Sequence, residues 1–263
     1  MAASILCIAM HPTKKKLMVL LGKEQKYCEG SDFWSDFGGK KKKNETPEMC
    51  ASREFHEETC AVVQFVKNEH MPRRNFEKIS HYLDSKIYLM KKDYVVNSSK
   101  KYTTFICEIP FQSNVPKNFR DTLNSLKTLQ KFSNFEHPCV KSPCILNKDY
   151  LEKEKIKWFD VDHLERAINH NNILSTYYDM SKQPKEILGT HFSKRLHAVI
   201  DFLKSYEKKF AKDHVEATNE KIDCFLSWRT IKSNRNGNCK HEPDFKNFRT
   251  RIRKISKRNK KYF

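Results

Sequence analysis

The chain has 263 residues, 38% of them hydrophobic, and a formal charge of +19 from 51 Lys+Arg against 32 Asp+Glu. That length holds one sizeable domain with an extension, or two small domains, and the modest apolar content leaves several segments outside a main core. The charge favours polyanionic partners; nine scattered cysteines with no Cys-x-x-Cys pair argue against a zinc ribbon or redox dithiol; and no run approaches the roughly 20 apolar residues of a membrane span.

In chain order, residues 4–10 and 17–21 are apolar runs separated by His11-Pro12-Thr13 and a lysine triplet, which predicts strand, turn, strand. Residues 34–39 predict a strand ending in two glycines. A polar loop from Lys40 to Glu45 leads to Thr46-Pro47-Glu48, a helix start in which Thr46 caps, Pro47 suits the first turn and Glu48 meets the positive end of the dipole. The helix is expected to run to Glu58 or Thr59, with a return to strand at Val62-Val63. Residues 86–90 and 102–109 predict two more strands. Residues 111–150, broken by Pro116, Pro138 and Pro143, read as an irregular insertion with a helix near Asp121 to Phe132. A strand at Ile156–Phe159 precedes a helix opening at Asp160 or Asp162. Residues 191–210 carry a stripe (Phe192, Leu196, Val199, Ile200, Leu203, Tyr206, Phe210) that marks one core helix. From Lys246 onward there are nine basic residues and no acidic ones. The expected organisation is a domain over 1–210, with the insertion at about 111–150, and a basic extension over 211–263. The cysteine usage and the absence of a signal peptide point to a reducing compartment, cytoplasm or nucleus.

The chemistry concentrates in Gly39–Ala61. Glu54, Glu57 and Glu58 stand at i, i+3 and i+4, so a helix projects them within about a 100° sector. Their mutual repulsion would destabilise a bare helix, and a hard divalent cation offsets it most naturally. Arg53 points to a neighbouring face, where Glu45 can pair with it and pin the loop to the helix. Gly38 and Gly39 let the backbone turn tightly and let a main-chain carbonyl, that of Gly39, approach a metal. An isolated Arg-Glu-x-x-Glu-Glu is more often a solvated face; the full spacing from Gly39 is what lifts this one.

That spacing, glycine, five residues, Glu45, seven residues, Arg53-Glu54, apolar Phe55, one residue, Glu57-Glu58, resembles the Nudix box. Every charged position matches. The departures are Cys60, where the pattern has glycine, and Ala61, where it has a bulky aliphatic residue. The resemblance implies an α/β fold, an α/β/α sandwich of mixed sheet, and Mg²⁺- or Mn²⁺-dependent hydrolysis of a nucleoside diphosphate linked to another group. It further implies Glu57 and Glu58 as metal ligands, Glu54 as a ligand or the group orienting water, and Glu45 as structural through Arg53. A general base from outside the box is expected at Glu152 or Glu154.

Lys40, Lys41, Lys42 and Lys43 could hold distal phosphates of the substrate, and a solvated loop is the plain alternative. In the tail, Arg249, Arg251, Arg253, Lys254, Lys257 and Arg258 are candidates for RNA phosphate contacts, with Phe248, Tyr262 and Phe263 able to stack on bases. A Nudix core with a basic extension resembles decapping enzymes acting on capped RNA, and a compact Lys- and Asn-rich enzyme of this kind would suit a large DNA virus. Diphosphoinositol polyphosphates or dinucleoside polyphosphates are the alternative substrates. A third possibility is a catalytically weak Nudix-fold module that binds RNA. The oligomeric state leaves no mark on the sequence.

Overall fold

Residues Ala2–Met10 form the central strand β1 of the computed structural model, which describes residues 1–25, 33–65, 75–97, 100–133, 148–174 and 186–211. The chain divides into two compact units, Met1–Ser205 and Tyr206–Phe263, and the elements labelled below belong to the first. β1 runs parallel to β6 (Lys100–Glu108) along one edge. Along its other edge it pairs antiparallel with β4 (Phe37–Lys40) through Ala2–Ile5 and with β2 (Leu17–Glu24) through Cys7–Met10. β2 pairs β7 (Lys153–Asp160) on its far edge and β3 (Phe33–Ser35) through Gly22 and Lys23, past the residues that pair with β1, and β3 pairs in parallel with β8 (Ile187–Leu188). β5 (Met90–Asn97) closes the β6 side as an antiparallel edge strand. The result is one eight-stranded mixed sheet.

β1 is buried on both faces, so its sequence is an apolar run broken only by Ser4, with no polar alternation. Ala3, Ile5, Cys7 and Ala9 share a core with Cys50, Ala51 and Phe55 of α1 (Pro47–Glu58), Ile79 and Leu83 of α2 (Asn75–Asp84), and Val115, Phe119 and Leu123 of α3 (Val115–Ser133). Phe55 is its hub, edge-on to Phe37 at 5.2 Å and to Phe65 at 5.3 Å. Truncating such a ring to alanine costs about 3–5 kcal/mol. The alternate residues of β1 face the other way, toward α4 (Val161–Asn169) and α5 (Thr190–His197). There Ser4 donates to Asp36 at 2.6 Å, and Arg195 of α5 holds the same carboxylate at 2.5 Å while stacking on Tyr102. Helices thus cover both faces of the sheet. Among the described residues no helix is long and apolar enough to cross a membrane.

Several expectations are corrected. The strand placed at residues 86–90 begins only at Met90; Ile87 and Leu89 are exposed in the turn that precedes it. Val62 and Val63 do not re-enter the sheet: they follow the helix as irregular chain, with Val63 packed in the core. The strand at 34–39 is two short strands broken at Asp36, whose side chain leaves the sheet for Ser4 and Arg195. The helix placed at Asp121 begins at Val115; Pro116 lies in its first turn, where a missing N–H costs nothing, and Val115, Phe119 and Leu123 make it part of the core. The stripe over 191–210 spans two helices: after α5 the Val199 N–H bonds the carbonyl of Leu196, a tightened turn, and a further helix runs over 200–211. Residues 246–263, with Arg249, Arg251, Arg253, Lys254, Lys257 and Arg258, lie outside the described residues.

Candidate active site

α1 starts as its first residues dictate. The Thr46 side chain accepts from the Met49 N–H at 3.1 Å, Pro47 occupies the first turn, and Glu48 sits by the positive end. At the far end the Cys60 N–H bonds the Glu57 carbonyl and the Ala61 N–H bonds the His56 carbonyl, each at 3.0 Å. This is a Schellman closure, which asks for a left-handed residue at the position glycine normally fills. Cys60 adopts it, at φ 50°, and Ala61 follows at φ 56°. The Cys60 thiol is buried and reaches the Tyr150 carbonyl at 3.5 Å, tying the helix end to the short 3₁₀ turn Lys148–Leu151 that precedes Glu152.

Between these ends α1 presents three buried carboxylates, Glu54, Glu57 and Glu58. Arg53 organises the first two. It reaches Glu54 at 2.9 Å and Glu57 at 2.9 Å, and grips Glu45 through Nε at 2.6 Å and Nη2 at 3.1 Å. Nη2 also donates to the Lys40 carbonyl at 3.1 Å, and Glu45 accepts from the Lys42 N–H at 2.7 Å. The pairing of Arg53 with Glu45 therefore fastens the whole 40–45 loop to the helix. The Arg53 hydrogen bond holds the Glu45 carboxyl below its ordinary pKa. Burial raises that of Glu54, against the pull of Arg53.

Glu58 is held differently. One oxygen accepts the Gly38 N–H at 2.7 Å, and the other faces the Lys153 ammonium at 3.2 Å. Burial raises the Glu58 carboxyl well above the ordinary range; Lys153 opposes this, while Glu24, Glu54 and Glu152 add to it. Lys153 is itself buried and pairs with Glu24, which accepts a further bond from Ser35 Oγ at 2.7 Å. Burial acts to discharge this lysine, but Glu58 and Glu24 outweigh it and keep the ammonium charged. Gly39 lies flush against the site: a Cβ there would stand 2.5 Å from the Glu54 carboxylate.

The candidate bases part company. Glu152 is electrostatically coupled to both Glu54 and Glu58. Glu154 is instead paired with Lys23 at 3.0 Å, at an irregularity in the β2–β7 ladder, and its charge goes to that lysine. Lys40, Lys42 and Lys43 lie exposed and Lys41 half-buried on the loop that Arg53 fastens. Trp34 and Phe37 are fully buried in the core. Sequence reasoning missed Lys153, Glu24, Ser35 and Gly22. The one available signal was a glycine in the middle of an otherwise bulky strand, which marks close approach by another group.

The donors are all oxygens, as a hard divalent ion requires, and the box carboxylates with Glu24 and Glu152 outnumber Arg53 and Lys153. Among the described residues no three His, Cys, Asp or Glu groups converge in ligand geometry; Arg53 and Lys153 pair with the carboxylates instead. In donor type and net charge the residue set fits such an ion.

Residues 2–96 match the family described as NUDIX domain, a span that includes the whole Gly39–Ala61 arrangement. No curated protein matches the sequence significantly. Solved structures similar to this chain include RenU, a Nudix hydrolase from M. smegmatis, at 13% identity over 76% of this chain and 86% of that one, TM-score 0.37. A C. elegans Ap4A hydrolase binary complex matches at 14% identity over 76% of this chain and 98% of that one, TM-score 0.35. A mutT/nudix family protein from Listeria innocua matches at 13% identity over 81% of this chain and 95% of that one, TM-score 0.32. Likeness at this level carries no argument about the site. The family match is confined to residues 2–96, and the carboxylate helix lies within it.

Proposed function

We propose that this Nudix hydrolase cleaves a nucleoside diphosphate from a larger polyanionic substrate, with capped RNA as the substrate class its charge favours. The observation that carries the hydrolytic part is the gathering of Glu54, Glu57 and Glu58 on one buried face of α1, with Glu152 acting electrostatically on Glu54 and Glu58 from the residue before β7.

Nudix enzymes generally use divalent metals. Glu54, Glu57 and Glu58, with the Gly39 carbonyl, would hold the ion, Mg²⁺ or Mn²⁺. When bound it supplies neutralisation of diphosphate charge and a water of lowered pKa. The chain's own residues do the rest. Arg53 fixes Glu54 and Glu57 in register and fastens the loop that carries Lys40, Lys41, Lys42 and Lys43, which would face the distal phosphates. Glu152 is the group we assign as base, taking the proton of the attacking water on a carboxylate oxygen; Glu154, neutralised by Lys23, is a poor one. Gly39 keeps the Glu54 carboxylate unobstructed.

The choice of capped RNA rests on the tail: nine cations in residues 246–263, interleaved with Phe248, Tyr262 and Phe263, suit a long single strand better than a small nucleotide. The test is to offer cap-labelled RNA, free cap analogue and diphosphoinositol polyphosphates side by side, with and without residues 246–263. Release of nucleoside diphosphate from long RNA, weakened by tail removal and by salt, supports decapping. Equal turnover of all three substrates by the full and truncated chains overturns it. The intact carboxylates weigh against a binding module without activity.

A further inference from the structure

We propose that Arg195 is a remote positioning residue for the metal site: from the opposite face of the sheet, and through Asp36, it fixes the stretch of backbone that aims Glu58.

The chain changes partners at Asp36. Ser35 still pairs with Gly22 of β2, whereas Phe37 pairs with Ile5 and Gly38 with Ser4 of β1. Asp36 stands alone between the two pairings, and its buried side chain anchors the crossing. One carboxylate oxygen accepts from Ser4 Oγ at 2.6 Å and the other from Arg195 Nη2 at 2.5 Å. A buried carboxylate bonded on both oxygens stiffens the backbone that carries it. Ser4 passes the constraint on, since Gly38 lies flush against it: a Cβ at Gly38 would stand 2.3 Å from Ser4 Cβ.

The same few residues face the site with their other groups. The Gly38 N–H donates to one oxygen of Glu58 at 2.7 Å. The other oxygen faces Lys153, whose ammonium donates to Ser35 Oγ at 2.8 Å and to the Asp36 carbonyl at 3.4 Å. Both oxygens of Glu58 are therefore placed through the crossing, and Arg195 holds the crossing from α5.

The placement of Arg195 serves that contact. Its guanidinium lies 3.9 Å over the Tyr102 ring, and the Tyr94 hydroxyl donates to its carbonyl at 3.1 Å, which ties α5 to β5 and β6 at this residue. Burial works against its charge, and Asp36 outweighs burial. Its Nε is buried and finds no hydrogen-bond partner among the described residues, a cost that an apolar side chain packed on Tyr102 would not carry. What arginine adds here is the bond to Asp36, and a buried pair of this kind does more for geometry than for stability.

The inference rests on the metal-site reading of Glu54, Glu57 and Glu58, and Mn²⁺ affinity of the full chain, measured by EPR on folded protein, separates the two. Wild type is expected to bind Mn²⁺ and to lose about tenfold or more in affinity on Glu57→Gln. Wild-type binding that is absent, or unaffected by Glu57→Gln, removes the parent reading and this inference with it. Arg195→Met, uncharged and of similar reach, is expected to lose about tenfold in Mn²⁺ affinity and in kcat while KM for cap-labelled RNA holds. Arg195→Lys, which keeps a charge beside Asp36, should recover most of that loss. Leu164→Ala, which truncates a buried side chain of α4 on the same side of the sheet, should lower Tm and leave Mn²⁺ affinity unchanged. Wild-type affinity in folded Arg195→Met, or an equal loss in Leu164→Ala, overturns this inference alone. If Arg195→Met does not fold because the Asp36 charge is left buried, Asp36→Asn with Arg195→Met removes both charges and carries the same expectation; wild-type affinity in that double variant overturns the inference equally.

Discussion

Arg53 holds Glu45 by two hydrogen bonds, Nε to one carboxylate oxygen at 2.6 Å and Nη2 to the other at 3.1 Å, across eight residues of sequence. The same guanidinium touches Glu54, Glu57 and the Lys40 carbonyl. One arginine therefore sets the loop and the carboxylates of Glu54 and Glu57 together, and Glu45 fixes the arginine.

Glu45→Gln should cost about 1–2 kcal/mol at pH 7, since it removes a charge-assisted pair near the surface where water screens part of its strength. The pH dependence follows from the sign of the shift. Arg53 holds the folded-state carboxyl below its ordinary value. Its contribution is thus complete above the unfolded value of about 4.3 and fades as pH falls through the folded one. Urea unfolding of both proteins at pH 7 and near pH 3 measures this: the gap should be full at the first and shrunken at the second.

Gly38→Ala and Gly39→Ala should separate stability from catalysis. At Gly38 a Cβ would meet backbone, 2.5 Å from both Ser4 Cα and the Ala3 carbonyl. The strand pair must shift, so a loss of about 1–3 kcal/mol or more is expected in thermal unfolding. At Gly39 the atoms nearest the Cβ all belong to the Glu54 carboxylate. That side chain can swing away, so Gly39→Ala should unfold near the wild-type temperature while turnover drops by about 100-fold.

The closure of α1 gives a prediction in the opposite direction. Ala61 sits at φ 56° with only a methyl group to lose. Ala61→Gly should stabilise the domain by about 1 kcal/mol, raising Tm by roughly 2–4 °C. Cys60→Gly, which restores the residue usual at that position of the box, should gain less, because its thiol is buried against the Tyr150 carbonyl. A larger gain from Cys60→Gly than from Ala61→Gly in the same melts would contradict this assignment.

What the sequence disclosed and what it hid divide by range. The Thr46-Pro47 start, the carboxylate face of α1 and the pairing of Glu45 with Arg53 are local, and spacing alone places them. Lys153 is not local: it meets Glu24 across 129 residues, and in Lys153-Glu154-Lys155-Ile156-Lys157 it looks like one more solvated cation. β5 is hard to place from sequence because it is an edge strand whose exposed Lys91, Lys92 and Asp93 hide it, while the apolar Ile87 and Leu89 belong to a turn. The start of α3 is masked because Pro116 looks like a breaker, although Val115 opens the helix and Pro116 sits in its first turn.

The most direct measurement is hydrolysis of cap-labelled RNA and a dinucleoside polyphosphate by wild type and Glu57→Gln, with Mg²⁺, with Mn²⁺ and with chelator. Anhydride cleavage by wild type is expected only when a divalent ion is present, with a loss of at least about 100-fold in Glu57→Gln that unfolds normally. Wild-type rates in that variant, or no cleavage of either anhydride by the wild-type chain, would contradict it.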